Sequence, residues 1–340
     1  GGLIPEEWAT ERLGSLVRHH NSGVYKKREL YGRGWNIVGV SDLYDIHHVD
    51  GKVFARVPIS EQERAKYTLA CEDLLYGESS LVREGIARTV YVTARGAGTA
   101  FAWHTRRYSV DQNILLSAYL YYYLQARPAR KHMMDQCIQT AITGINTVAY
   151  FACPVPIPPL PEQRAIAGAL VDVDELIASL GKLIAKKRDI KQAAMQQLLT
   201  GQNRLPGFNG EWELLSMAEK STLKARIGWQ GLTTAEYLPT GEYYLVTGTD
   251  FVNGRVNWAS CCFVDAKRYI QDKNIQLKKR DILLTKDGTI GKVSFVDTLP
   301  GRATLNSGVF VIRPKGDAYD PLFFYYILTS RVFDAFLAQL

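Results

Sequence analysis

The chain has 340 residues, 46% hydrophobic and 22% charged, enough for two folded domains with separate cores and too apolar for wholesale disorder. No run approaches the roughly 18 apolar residues that cross a bilayer, and the opening GGLIPEEW has neither the basic head nor the apolar stretch of a signal peptide. A net charge of +7, from 41 basic and 34 acidic residues, suits a polyanionic partner, and five cysteines (Cys71, Cys137, Cys153, Cys261, Cys262) without C-x-x-C spacing suit a reducing cytoplasm and argue against a zinc site or disulfide framework.

In chain order, Glu7-Trp8 opens a mixed α and β module. The basic loop NSGVYKKRELYGRGW follows, then GVSDL with Asp42, a turn signal at Asp50-Gly51, and EDLLY with Asp73. A second basic loop, YGESSLVREGIAR, precedes the glycine-rich ARGAGTA, which lacks dinucleotide-binding spacing and reads as a loop. Asp111-Gln112-Asn113 leads to the aromatic AYLYYYLQAR, whose length favours a helix packed on a sheet with most tyrosines in the core. His19-His20 and His47-His48 are adjacent pairs. Neighbours on a strand point to opposite faces, and no set of carboxylates accompanies them, so no catalysis is expected there.

A proline-rich stretch then leads into one long helix, predicted from Glu162 to Leu199 and roughly 57 Å long at 1.5 Å per residue. Pro161-Glu162 suits a first turn, and Gly201 suits a terminator. Ile166, Leu170, Val173, Ile177, Leu180 and Ile184 follow a 4-3-4-3-4 spacing that Leu176, Leu183 and Ile190 widen and Leu198 closes. Such a seam predicts a partner helix. Lys186, Lys187, Arg188 and Lys191 gather in its second half.

Beyond the helix the landmarks return. Glu211-Trp212, TGTDF with Asp250, RDILL with Asp281 and LFFYYILTSR ending at Arg331 match the first set at offsets of 204, 208, 208 and 204. Four landmarks in order at nearly one spacing indicate a duplicated module. In the second copy Asn253-Gly254 signals a hairpin, DILLTKDGTIGKVSFVD a strand–loop–strand, and ATLNSGVFVIRP a further buried strand. The expected fold class is α+β: two similar mixed α/β recognition domains, 1–155 and 205–340, joined by a coiled-coil-type helix with its proline-rich lead, 156–204.

PIPPLPEQRAIAGAL through LIAKKRDIKQAAMQQLLTGQNRLPGF, residues 156–208, resembles the central conserved region of the specificity subunit of type I DNA restriction–modification enzymes. The flanking repeats resemble that family's two target-recognition domains. By this resemblance the second copy stops at Leu340, opposite about Gln136, so the chain is expected to be truncated and its helix to lack an antiparallel partner. The resemblance implies a non-catalytic subunit that reads a bipartite double-stranded DNA target; at about 3.4 Å per base pair the helix length, less each domain's footprint, predicts a non-specific gap below one helical turn. By the resemblance, the subunit positions partner methyltransferase subunits, which methylate adenine N6, and restriction subunits. S-adenosylmethionine, ATP and Mg²⁺ are then expected on those partners and no cofactor or metal on this chain. No phosphate-loop and no methyltransferase motif contradicts this.

Candidate DNA contacts in the first copy are Lys26, Lys27, Arg28 and Arg33, then Arg83 and Arg88, with Gln112 and Asn113 as amides suited to adenine. In the second copy they are Lys224 and Arg226, then Lys286 and Lys292 of TKDGTIGK, with Asn306 and Ser307 taken as counterparts of 111–113. Ile166, Leu170, Val173, Ile177, Leu180, Ile184 and Leu198 are the expected partner-helix interface. Two alternatives stay open: a truncated member that docks the methyltransferase subunit or a second copy through the helix without reading a full site, and a nuclease using Asp281, Asp287 and Lys292. The repeat of Asp73 at Asp281 argues against the nuclease.

Overall fold

Leu74, Leu75 and Tyr76 make an unbroken apolar run because both faces of their strand, Leu74–Gly77, are buried. That strand is the middle of a five-stranded sheet ordered Val17–Ser22, Thr105–Val110, Leu74–Gly77, Thr89–Val92, His48–Val49. The first four strands pair antiparallel and the last joins in parallel. A smaller sheet sets Trp35–Val38 between Ala55–Val57, antiparallel, and Ala100–Phe101, parallel. This computed structural model describes residues 5–139, 142–228, 231–331 and 333, and the chain divides into two units, Gly1–Leu180 and Gly181–Leu340.

The second unit repeats the plan of these two sheets, with one edge strand added. Its larger sheet runs Ser221–Lys224, Val309–Pro314, Ile282–Thr285, Val293–Phe295, Arg255–Val256, with Phe251–Val252 at the far edge. Arg255 again joins Phe295 in parallel. The smaller sheet sets Tyr243–Val246 between Cys262–Val264, antiparallel, and Arg302–Leu305, parallel. The duplication read from four landmarks is therefore a duplication of strand order and direction.

The repeated aspartates hold repeated turns. Asp42 accepts the Gly39 N–H at 2.7 Å and Asp250 the Thr247 N–H at 2.8 Å. Asp73 accepts the Ala70 N–H and Asp281 the Lys278 N–H, both at 2.7 Å. Glu72 and Arg280, one residue earlier, share the left-handed region at φ 69° and 70°. The charges differ. Asp281 takes two bonds from Arg313, each of 2.6 Å, while Asp73 lies 3.7 Å from Arg107, and burial raises the Asp73 carboxyl above its ordinary value. We expect Asp281→Asn to cost about 3 kcal/mol, because it strips a half-buried arginine of its partner. Asp73→Asn should cost under about 1 kcal/mol. A raised carboxyl pKa means stability is lost as pH climbs through it, so the Asp73→Asn protein should gain on the parent over that range. Urea unfolding of the two variants across pH checks both statements.

Three local expectations meet different outcomes. Asn253 and Gly254 both take positive φ (51° and 74°), the two-residue turn of a hairpin between Phe251–Val252 and Arg255–Val256. Asp50-Gly51 is no counterpart: Gly51 has φ 89°, but it follows His48–Val49, whose one strand partner among the described residues is the parallel Thr89–Val92. ATLNSGVFVIRP is two strands in two sheets, Arg302–Leu305 and Val309–Pro314, because Asn306-Ser307-Gly308 carries the chain across. The aromatic stretches are helices, Ser117–Gln125 and Pro321–Leu328, with Tyr119, Leu120, Tyr121 and Leu124 of the first, and Tyr325 and Leu328 of the second, facing the sheets.

The long helix spans Leu160–Leu198, with Pro161 in its first turn and Gly201 at φ 71° just past its end. Gln163 is fully buried and Ile166 and Ala167 pack on the first core. Farther on, Val173, Leu176, Ile177, Leu180, Leu183, Ile184 and Ile190 are 47–62% exposed. An exposed apolar stripe of this size is uncommon on the surface of a folded chain.

Candidate nucleic-acid interface

In the second unit, strand direction brings three predicted segments, and one not predicted, to one end of the two sheets. Thr285 pairs with Val309, Leu284 with Val293 and Lys224 with Val311, so Lys224 and the loop from Lys286 to Lys292 share an end. Val246 and Leu305 are parallel partners and both finish there, adding Thr247–Thr249 and Asn306–Gly308. The backbone is stitched across: Lys286 N–H donates to Gly308 O at 2.9 Å and Lys292 Nζ reaches Gly248 O at 3.4 Å. Gly288 and Gly291 have φ 67° and 87°, which lets the 286–292 loop fold tightly over the strand ends. Lys286 lies 5.4 Å from the centre of the Phe310 ring, and Lys224 and Lys292 are exposed.

Other candidates serve the fold. Arg226 is 1% exposed; its Nε donates to Leu305 O at 2.9 Å and its Nη2 to Thr304 Oγ1 at 3.3 Å, and burial lowers its pKa. It cannot touch DNA from there. The expectation failed because KAR reads as a basic loop, whereas the strand ends at Lys224 and the chain turns inward. Asn306 donates to the Tyr237 hydroxyl at 2.7 Å and accepts the Ser307 N–H at 2.7 Å, so its amide is used. Trp229, beside these basic residues, lies outside the described residues. Asp281, offered for a nuclease, faces Arg313 and the Lys278 N–H.

The first unit has the matching end. There Ser22 pairs with Arg106, Gly77 with Thr105, and Val24 bridges Ala102. Lys27, Arg28 and Arg33 are exposed and form no ion pair among the described residues. Lys26 is bound to both Glu63 oxygens, at 2.8 and 2.9 Å, so its charge is spent. Arg83 donates to Met134 O at 3.0 Å and Arg88 reaches Ile46 O at 3.5 Å, which anchors their loop. Gln112 is a helix cap: it donates to Ser117 Oγ at 2.6 Å and accepts the Ser117 N–H at 3.3 Å. Asn113 is folded onto Asp111, which pairs with Arg18 at 2.7 Å.

Gln112 and Asn113 also stand at the wrong end. Strand pairing equates Phe101 with Leu305, hence Ala102, Trp103 and His104 with Asn306, Ser307 and Gly308. Residues 111–113 follow the far end of Thr105–Val110. The true counterparts went unnoticed because aromatic residues read as core. Trp103 is 50% and Tyr25 64% exposed, with ring centres 5.2 Å apart at 88°, and His104 stacks on Trp103 at 4.3 Å. Exposed aromatic faces beside basic loops are surfaces on which bases and sugars pack. Among the described residues, no group of three or more His, Cys, Asp or Glu side chains could hold a metal, and no helix is long and apolar enough to cross a membrane.

Two copies of one α+β module, each with a polar end and sharing a long helix, define a two-module recognition protein. The chain belongs to the family of the type I restriction modification DNA specificity domain, whose model matches residues 5–187. It is 22% identical over 339 residues, 96% of this chain and 77% of the relative, to a putative type I restriction enzyme MjaX specificity subunit of Methanocaldococcus jannaschii. The MjaVIII specificity subunit of that organism is 21% identical, over 100% of this chain and 79% of its own. The crystal structure of a type I restriction–modification S subunit from M. genitalium superposes with a TM-score of 0.56 at 16% identity, covering 96% of this chain and 78% of that one.

Proposed function

We propose that this chain is the DNA-specificity subunit of a type I restriction–modification enzyme and that each unit reads one half of a bipartite duplex target with its polar end. The observation that carries the reading is the equivalence of those ends. The same strand termini present Tyr25, Trp103 and the 78–88 loop with Arg83 and Arg88 in one unit and Lys224, Lys286 and Lys292 in the other; Lys27 and Arg28 follow Tyr25 in the chain, whereas Arg33 stands toward the opposite end of Trp35–Val38. Lysines at such a site hold phosphates and set register, while aromatic and amide groups read bases.

The chain itself performs no chemistry in this reading. Methyltransferase subunits bring S-adenosylmethionine and flip the target adenine, and restriction subunits bring ATP and Mg²⁺. The exposed stripe from Leu170 to Leu198 is where partner helices dock. The functional division follows 1–155, 156–204 and 205–340. The test is to co-express the chain with a cognate methyltransferase subunit and map new methyl-adenines across the host genome. Methylation at one split, asymmetric motif is the expected outcome, each half changing when the polar end of one unit is exchanged. Soluble complex without new methylation would refute the reading.

A further inference from the structure

Beside the first unit's aromatic helix, Ser117–Gln125, a cleft of about 390 Å³ opens against the long helix. Tyr91, Tyr121 and Tyr122 line one side, and Val171, Asp174 and Glu175 the other. Tyr122 donates to Asp174 Oδ2 at 2.8 Å, and the exposed Glu175 takes no hydrogen bond among the described residues. Aromatic faces beside carboxylates are the chemistry that receives an ammonium or guanidinium group. No lysine or arginine lines the cleft. His48, at its back, does not supply the charge, since burial and then His47 lower its pKa.

The duplication offers a direct comparison. Tyr122 corresponds to Tyr326 at the offset of 204, and in the second unit Lys191 of the long helix stands 6.0 Å from the centre of the Tyr326 ring. One copy therefore shows the tyrosine with its cation. The other shows the tyrosine with two carboxylates and no cation. The 4-3 seam of Leu170, Val173, Ile177, Leu180 and Ile184 continues through Lys187 and Lys191, so the lysine that meets Tyr326 lies on the docking stripe itself.

Charge along the helix points to the orientation of the occupant. Asp172, Asp174 and Glu175 mark the first half; Lys182, Lys186, Lys187, Arg188 and Lys191 mark the second. A helix of the second kind, laid antiparallel against the first half, brings basic groups level with Asp174 and Glu175. A second copy of this chain is the poorer candidate, because its Lys191 already stands beside its own Tyr326.

We infer that the cleft is a socket for a lysine or arginine carried on the seam of a basic amphipathic partner helix. The socket rests on the docking role proposed for the stripe and names the chemistry of what docks there. DNA binding is scored separately, so the two readings fail independently.

The probe is a synthetic peptide of residues 182–199, the basic half of the helix without its attached unit, titrated into the full chain by fluorescence anisotropy. We expect a Kd of roughly 10–100 µM. It should weaken about tenfold when the chain carries D174N with E175Q, and equally when the peptide carries Lys191→Gln. Y122F, which keeps the ring and frees Asp174, should bind at least as well as the parent. No binding at about 1 mM peptide, or binding indifferent to both substitutions, overturns the socket. Sedimentation that shows a dimer of the chain dissolved by D174N with E175Q would also overturn it, by making the occupant a second copy. Thermal unfolding of the cleft variants within about 2 °C of the parent shows that a lost peptide signal is not misfolding, whatever the outcome for DNA.

Discussion

Replacing Lys286 and Lys292 together with glutamate is expected to weaken DNA binding about a hundredfold or more while leaving thermal unfolding within about 2 °C of the parent. The two lysines flank the tight loop at the second unit's polar end. One lies along Phe310, and the other makes a single long bond to Gly248 O, so neither holds the fold by its charge. Each lysine–phosphate interaction removed should reduce the slope of log affinity against log salt by about 0.9. Glutamate adds repulsion from the same phosphates. The glutamine pair should therefore fall between parent and glutamate pair, with a salt slope reduced by roughly 1.8. Titration of a labelled duplex at several salt concentrations reads both numbers. An unchanged slope would mean that the loop is a solvated turn facing away from DNA.

Gln163→Leu carries the largest expected cost in stability. Gln163 sits in the first turn of the long helix, fully buried, and its amide makes three hydrogen bonds within the first unit. Its Oε1 accepts the Leu116 N–H at 2.8 Å, and its Nε2 donates to Ile114 O at 2.9 Å and Pro158 O at 2.8 Å. Leucine fills a similar volume but strands one backbone N–H and two carbonyls. At about 1 kcal/mol or more for each stranded group, the first unit should lose roughly 3–4 kcal/mol. That corresponds to a fall of roughly 6–16 °C in its melting transition. Gln163→Glu should be worse, because a carboxylate would face two carbonyl oxygens without water. Hydrogen exchange at Leu116 gives a local reading: the amide should lose protection in both variants before the rest of the sheet does.

This glutamine also marks what was legible in the sequence. Pro-Leu-Pro-Glu-Gln announced a helix start, and Pro161 and Glu162 suit it for local reasons. Gln163 is there for a distant one, a loop 47 residues away, which local pattern does not encode. The same divide runs through the candidate interface. The duplication, the hairpin at Asn253-Gly254, the helix seam and the shared turn aspartates are all local or periodic features, and the fold follows them. Arg226 and Lys26 are basic in the sequence and spent in the structure, one buried on carbonyls and the other held by Glu63. Burial of a charge depends on what lies opposite, and composition is silent on that. The mispairing of 111–113 with 306–307 has a simpler source. It matched polar residues by type at an offset of 195, where the neighbouring landmark keeps 204, and strand register shows which end of the strand each loop belongs to.

The two length changes that shift the repeat offset from 204 to 208 and back have a consequence for how such a protein can vary. One lies between Val17–Ser22 and Trp35–Val38, matched by the longer stretch between Ser221–Lys224 and Tyr243–Val246. The other lies between Leu74–Gly77 and Thr89–Val92, matched by the shorter loop from Lys286 to Lys292. Both segments leave from the polar end, and the paired strands below keep their partners in both units. The scaffold thus behaves as a chassis with interchangeable heads. New heads of different length can be fitted without redrawing the pairings of the two sheets that the units share, even though the longer head of the first unit adds its own strand, Ser79–Ser80, so a lineage can change what it recognises and keep its scaffold.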